Sequence, residues 1–174
     1  MITIVSSSLN SESNSRLLAL EAQRVLEAEG HAVSWLDLRD LPLPLCDGGA
    51  AYGHPNVALA GKMIADADAV IVATAIYNYD GNAALKNLIE LTGSSWENKS
   101  VGFLCAAGGI SSYMSIMSLA NSLMLDFRSV IVPRFVYATG ADFDGERIVS
   151  AEVTRRTGEL ARTVARFGSV LKAA

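Results

Sequence analysis

The chain has 174 residues, with 14 Lys and Arg against 18 Asp and Glu, and a formal net charge of −4. This length suits one domain over residues 1–174. Hydrophobic residues make up 51% and charged residues 18% of the sequence, which excludes a disordered chain. The negative net charge disfavours nucleic acid as a partner, because phosphate backbones are bound through many Lys and Arg contacts.

Apolar runs of strand length alternate with segments of helical periodicity, a pattern typical of a parallel sheet with helices on both faces. The five predicted strands are Ile2–Ser6, Ala32–Leu38, Ala69–Thr74, Val101–Ala106 and Val130–Phe135. Five helices are predicted between and after them: one that carries Leu18, Ala22, Val25 and Leu26 and ends before Gly30, then Asn56–Ala65, Ala83–Thr92, Ser112–Phe127 and Ala151–Lys172.

The sequence also limits where the protein acts. Its apolar start has no basic flank and no cleavage site, so we expect a cytoplasmic protein. The uncharged stretch Ser100 to Leu125 is interrupted by glycines and six serines, so we expect no membrane partner. The two cysteines, Cys46 and Cys105, are expected to be free thiols, and two isolated histidines predict no metal site.

Ligands of doubly wound sheets bind at the carboxyl ends of strands where the winding direction reverses, which points to the loops after strands one, three and four. The first loop, Ser6 to Arg16, holds six serines and two asparagines and runs into a helix. Hydroxyl and amide donors beside a helix start favour an anion such as phosphate, although helix capping by Ser13 or Asn14 explains part of the pattern. No glycine precedes Gly30, which excludes a dinucleotide fingerprint and a P-loop.

The other two loops suit a flat ligand. Tyr77-Asn78-Tyr79 follows the third strand and offers aromatic faces and amide groups, although tyrosines that merely pack the turn remain the alternative. Gly108-Gly109 follows the fourth strand and allows a planar ring to approach the backbone.

Three segments together resemble the NADPH-dependent FMN reductase family of flavodoxin-like fold, which includes quinone, azo-dye and chromate reductases. Ser7 to Ser15 is similar to the family pattern G-S-L-R-x-x-S-x-N/S, and Asp37 to Pro44 reproduces D-L-R-D-L-P-L-P. Ala75 to Glu90 aligns without a gap with P-E-Y-N-Y-S-I-P-G-A-L-K-N-A-I-D. The resemblance covers nearly the whole chain and implies a five-stranded sheet of order 2-1-3-4-5, FMN as cofactor, and NADPH or NADH as co-substrate.

The resemblance also implies roles for particular residues. The phosphate contacts of the family fall on four residues of the first loop, the ring contacts on three residues of the third loop, and the far edge of the ring on two glycines. These residues are Ser8, Asn10, Ser13 and Ser15; Ile76, Tyr77 and Asn78; and Gly108 and Gly109. No catalytic side chain is implied, because the flavin N5 carries the chemistry.

This chain departs from the family pattern at several positions. Asn10 replaces the arginine of the first loop and Ser7 its glycine, while Gly81-Asn82-Ala83 replaces I-P-G. Glu12 adds an acidic side chain near the implied phosphate, which we expect to weaken FMN retention. The other replacements are Ala75-Ile76 for P-E, and Ser111-Ser112 for the second half of the family's G-G-x-G-G stretch, whose first half is Gly108-Gly109 here.

The resulting hypothesis is a ping-pong oxidoreductase that passes electrons from NAD(P)H through FMN to a quinone, azo compound, metal oxyanion or free flavin. The alternative is a flavodoxin-like FMN-binding electron carrier or flavin-binding module without nicotinamide activity. The fourth helix is apolar around much of its circumference, so it is either a core helix or an interface of a homodimer or homotetramer.

Overall fold

The computed structural model describes residues 1–173 as one sheet with helices on both faces. The strands are β1 (Ile2–Ser6), β2 (Val33–Asp37), β3 (Ala69–Tyr77), β4 (Asp80–Gly81), β5 (Ser100–Ala107), β6 (Val130–Ile131) and β7 (Val136–Thr139). The α-helices are α1 (Asn14–Ala28), α2 (Pro55–Ala65), α3 (Ala83–Thr92), α4 (Met117–Phe127) and α5 (Ala151–Ala173). Short 3-10 helices span Ala50–Gly53, Gly93–Trp96, Ile110–Ser112 and Gly140–Asp142.

The strands occur in the order β2-β1-β3-β5-β6, with all neighbours parallel. β7 also pairs with β5 in parallel, beyond the end of β6, so β6 and β7 occupy one position in the sheet. β4 pairs antiparallel with the end of β3 as a small hairpin. The five parallel positions therefore confirm the predicted order 2-1-3-4-5.

The fifth strand differs from its prediction as one run over Val130–Phe135. It stops at Ile131 and resumes at Val136, because Pro133 has no N–H to donate to a ladder and Arg134 adopts φ 62°. After this break β7 pairs with the last residues of β5, up to Ala107 opposite Thr139. The chain after β7 thus reaches the carboxyl edge of the sheet.

The fourth helix begins at Met117 rather than at the predicted Ser112. Ser112 ends a 3-10 helix, and its hydroxyl lies 2.8 Å from the hydroxyl of Tyr137 on β7. Tyr137 in turn donates to the carbonyl of Gly109 at 2.6 Å. These contacts hold the segment against β7, so the helix starts only after it. The remaining predicted helices agree with the structure in type and position.

The core has two layers, one on each face of the sheet. On one face, α1 and α5 cover strand residues such as Ile4 and Leu104, and Leu18, Ala22, Val25 and Leu26 of α1 are buried there as predicted. On the other face, α2, α3 and α4 cover Val5, Val72 and Phe103. β3 is buried from Ala69 to Ile76. Within residues 1–173, no helix combines the length and the apolar character that a bilayer crossing requires.

The two cysteines differ in accessibility, and we expect them to differ in reactivity. Burial raises the pKa of the Cys105 thiol, whereas Cys46 lies partly exposed in the loop after β2; both are free. Because the thiolate is the reactive form, the native protein should consume one equivalent of a maleimide through Cys46, and two after unfolding in guanidinium. Two equivalents consumed at once by the native protein would contradict the burial of Cys105.

Candidate functional site

A cavity of about 570 Å³ opens at the carboxyl edge of the sheet. Three of the loops around it, those after β1, β3 and β5, are the ones that the sequence singled out. Its lining consists of Ser8, Asn10, Glu12, Ser13, Asn14, Ser15, Ala75, Ile76, Tyr77, Asn78, Ala106, Ala107, Gly108 and Gly140. Eight of the nine predicted site residues are thus brought together, and Gly109 lies beside the lining without belonging to it.

The loop after β1 forms a tight polar turn. The Ser8 hydroxyl is buried and accepts a hydrogen bond from the Asn10 N–H at 3.3 Å. Among residues 1–173 that hydroxyl donates to no acceptor, so its own hydrogen is available. The Asn10 side-chain oxygen accepts from the Glu12 N–H at 3.1 Å, which leaves the amide NH₂ of Asn10 as a further donor.

The start of α1 adds backbone donors. Ser13 caps the helix by accepting from the Arg16 N–H at 3.3 Å, and its hydroxyl lies 2.9 Å from that of Ser15. The N–H groups of Asn14 and Ser15, in the first turn, have no intrahelical acceptor. The structure therefore confirms the helix capping by Ser13 that the sequence left open, and Ser13 and Ser15 also line the cavity. Donors and the positive end of a helix dipole together favour an anion here.

The cationic side chains of this region lie behind the loop rather than in the cavity. Arg16 forms an ion pair with the buried carboxylate of Asp37, and its guanidinium lies 5.5 Å from the Trp35 ring centroid. Arg39 Nε lies 3.6 Å from Asp37 Oδ1, and Arg39 Nη1 donates to the Ser11 carbonyl at 3.3 Å. Burial lowers the pKa of Arg16, and the nearby charge of Arg39 lowers it further.

The described residues that line the cavity include neither Lys nor Arg, whereas the exposed carboxylate of Glu12 is among them. An anion in this loop would therefore be held by neutral donors and by the start of α1.

The loop after β3 is a tight hairpin. Ile76 pairs with Gly81 and Tyr77 with Asp80, and both central residues are left-handed, with φ 50° at Asn78 and 68° at Tyr79. The Tyr79 hydroxyl donates to the carbonyl of Ser111 and so ties the hairpin to the loop after β5. Tyr77 remains 55% exposed at the cavity. The Tyr79 hydroxyl is therefore occupied although its side chain is 62% exposed, whereas the Tyr77 side chain lines the cavity.

The loop after β5 leaves room beside the cavity. A Cβ atom built at Gly108 or Gly109 would meet no protein atom within 4 Å. The fold itself therefore does not require glycine at either position, and the space matters only for what lies in the cavity. The Gly109 carbonyl is already occupied by the Tyr137 hydroxyl.

The donor set fits FMN. The serine loop supplies neutral donors to a phosphate, and the opposite end offers the apolar side chains of Ala75, Ile76, Ala106 and Ala107 together with Tyr77. The cavity volume lies in the usual range of small-molecule sites.

Comparison with known proteins agrees with this geometry. The family model described as NADPH-dependent FMN reductase matches residues 1–144. The chain belongs to this family. It is thus an oxidoreductase with FMN as cofactor and NAD(P)H as co-substrate.

Individual relatives point the same way. The chain is 28% identical over 144 residues to an NAD(P)H-dependent FAD/FMN reductase of Geobacillus thermodenitrificans. The alignment covers 80% of this chain and 77% of the relative. An oxidoreductase from Corynebacterium diphtheriae superposes with TM-score 0.75 at 19% identity, over 99% of this chain and 97% of that one. An NAD(P)H:acceptor oxidoreductase from Paracoccus denitrificans gives 0.74 at 18% identity, with the same coverage.

An archaeal flavodoxin superposes with TM-score 0.69 at 13% identity, over 97% of this chain and 99% of that one. These likenesses between structures confirm the flavodoxin-like fold.

The nine predicted site residues leave out six residues of the lining, which are Glu12, Asn14, Ala75, Ala106, Ala107 and Gly140. Gly140 follows β7, so it lies at a strand end like the other site loops. The predicted fifth strand ended at Phe135, which hid that position. Ala106 and Ala107 belong to the run of small residues that ends in Gly108-Gly109, whereas Ala75 is a strand residue whose type carries no signal of its own.

We expect Gly108→Ala to weaken FMN binding by about tenfold, because the added methyl group would enter space that a flavin ring in this cavity would need. The melting temperature without FMN should stay unchanged, since the added Cβ meets no protein atom. The measurements are quenching of FMN fluorescence and thermal unfolding. Gly53→Ala is the matched control, because a Cβ there also meets nothing within 4 Å. Equal FMN affinity in both variants would argue against a ring at Gly108.

Proposed function

We propose that this cavity holds FMN with its phosphate in the loop after β1 and its ring against the hairpin after β3. The carrying observation is that one cavity joins a buried, donor-rich cradle to an apolar end with an exposed tyrosine. In this proposal Ser8, Asn10, Ser13 and Ser15 contact the phosphate, Ile76, Tyr77 and Asn78 line the ring, and Gly108 and Gly109 flank its far edge.

The residues of the cavity would bind and orient rather than exchange protons. FMN supplies two-electron transfer between a reduced nicotinamide and an acceptor. The cavity lining includes no His, Cys or Lys, and its one carboxylate, Glu12, belongs to the phosphate end. The Tyr77 side chain offers an aromatic face, while the left-handed backbone at Asn78 turns the hairpin over the cavity. Proton exchange is then left to solvent.

The electron donor and the electron acceptor would bind beside the flavin ring one after the other. In this proposal both substrates use the same cavity beside the ring, so NAD(P)H leaves before a quinone, azo compound, metal oxyanion or free flavin takes its place. This arrangement supports a ping-pong mechanism. The family match and the lack of the T-x-T-G-x-T loop typical of flavodoxins both disfavour the alternative of an electron carrier without nicotinamide activity.

The test is NADPH oxidation by the FMN-saturated protein, followed at 340 nm with and without a quinone. We expect the quinone to accelerate turnover, with parallel lines in double-reciprocal plots against NADPH at several quinone concentrations. Azo dyes, chromate and free FMN extend the acceptor series, and NADH replaces NADPH in a second set. FMN that binds tightly but is not reduced by either nucleotide would favour the carrier instead.

We propose further that α4 and the turn before it form the interface of a homodimer or homotetramer. Ile116, Leu119 and Leu123 of this segment are buried in the core, so the core interpretation of the sequence holds for one side. The other side stays exposed and apolar, with Ile110 at 73%, Met114 at 57% and Leu125 at 82%. Several large apolar side chains exposed on one segment are typical of protein interfaces.

Light scattering should therefore give a mass of two or four chains. Leu125→Glu should shift that mass towards one chain, because it would bury a charge against apolar surface. Val170→Glu is the matched control, since Val170 is 63% exposed on α5, on the opposite side of the sheet. A monomeric wild-type protein, or the same shift in both variants, would contradict this interface.

A further inference from the structure

A buried chain of hydrogen bonds runs beneath the cavity. The Asn82 side-chain NH₂ donates to the Ser7 hydroxyl at 2.9 Å, and that hydroxyl donates to the Ala73 carbonyl at 3.0 Å. The Asn82 side-chain oxygen accepts from the Leu85 N–H at 2.9 Å and so caps α3. Ser7 has no exposed surface and Asn82 is 5% exposed. Each group in this chain is therefore partnered inside the protein.

The bond between Ser7 and Asn82 joins the two ends of the proposed flavin site. Ser7 directly precedes Ser8, the first residue of the donor-rich cradle. Asn82 directly follows the hairpin that carries Tyr77 and Asn78. The two residues are 75 positions apart in the chain, and their side chains meet just beyond the point where the β1–β3 ladder ends, at Ser6 opposite Ala73. Their contact therefore adds a side-chain restraint, beyond the strand pairing, on how far the cradle lies from the hairpin.

Neither residue is able to act by touching a ligand. The Ser7 hydroxyl donates its hydrogen to the Ala73 carbonyl and accepts from the Asn82 side chain. Ser7 and Asn82 both lie outside the cavity lining. Burial makes the bond costly to break, because a lost partner leaves an unsatisfied polar group. Both ends are also positions where this chain departs from the family pattern, with Ser for glycine and Asn for proline. Neither of those residues has a side chain that forms such a bond.

We propose that Ser7 and Asn82 are positioning residues whose hydrogen bond holds the phosphate cradle and the hairpin at the separation that FMN requires. This inference rests on the proposed function of the cavity. The bond pre-orders both loops, so less ordering remains when the ligand binds and its affinity rises.

A double-mutant cycle on FMN affinity tests the proposal. Ser7→Ala removes the acceptor, while Asn82→Ser removes the donor and keeps a hydroxyl that is able to cap α3. Each single variant should raise the Kd for FMN about fivefold to tenfold, measured by fluorescence quenching on folded protein. The double variant should match the single variants rather than reach the product of their effects, because both substitutions remove the same bond.

Ser129→Ala is the matched control for a purely structural effect. The Ser129 hydroxyl is also buried and donates to a backbone carbonyl, that of Trp96, at 2.9 Å. Ser129 precedes β6, at the opposite edge of the sheet from the cavity. We expect this variant to lower the melting temperature and to leave the Kd for FMN unchanged.

The outcomes separate the two claims. Wild-type affinity in both single variants, or multiplicative effects in the double variant, would overturn the positioning role while the FMN site stands. A wild-type protein that does not quench FMN fluorescence would overturn the FMN site itself, and the positioning role with it.

Discussion

Parallel pairing of β3 between β1 and β5 is the constraint on which the site depends. Ser6 lies opposite Ala73 and Ala75 lies opposite Ala106, so the three strands end at one edge and their loops meet there. Burial of β3 on both faces holds it in place, because any displacement from its two neighbours would lose packing with both helix layers. A hairpin in place of either crossover would send one loop to the opposite edge and divide the cavity.

The positively charged side chains near this edge lie outside the cavity. The buried Asp37 carboxylate is stable only with partners, which Arg16 and Arg39 supply. The two guanidinium groups thereby tie the start of α1 and the Ser11 carbonyl to the end of β2. The resulting cluster shapes the cradle from behind and leaves hydroxyl and N–H groups at its surface. The arginine of the family pattern is absent from the cradle. Neutral donors alone would therefore have to stabilise the phosphate beside the negative charge of Glu12.

The sequence predicted what depends on neighbours along the chain. Apolar runs and helical periods located α1, α3 and the first four strands, and strand ends identified three of the site loops. Pro133 was visible in the sequence, yet the resumption of pairing at Val136 depends on β5. The late start of α4 depends on Tyr137 of β7, whose hydroxyl is hydrogen-bonded to that of Ser112 in the loop after β5. The contact of Ser7 with Asn82 joins loops that only the folded sheet brings together.

The hairpin after β3 has a strained backbone that is stabilised by hydrogen bonds to three other segments. Two successive non-glycine residues with left-handed backbone make this turn energetically unfavourable, so contacts with other segments must stabilise it. Asn82 anchors it to the loop after β1, the Tyr79 hydroxyl binds Ser111, and Asp80 accepts from the Ser118 hydroxyl of α4 at 2.7 Å. Because α4 also carries the exposed apolar surface, a partner packed on this helix would restrain the hairpin as well. Helix α4 would then contribute both to the interface between chains and to the orientation of the flavin.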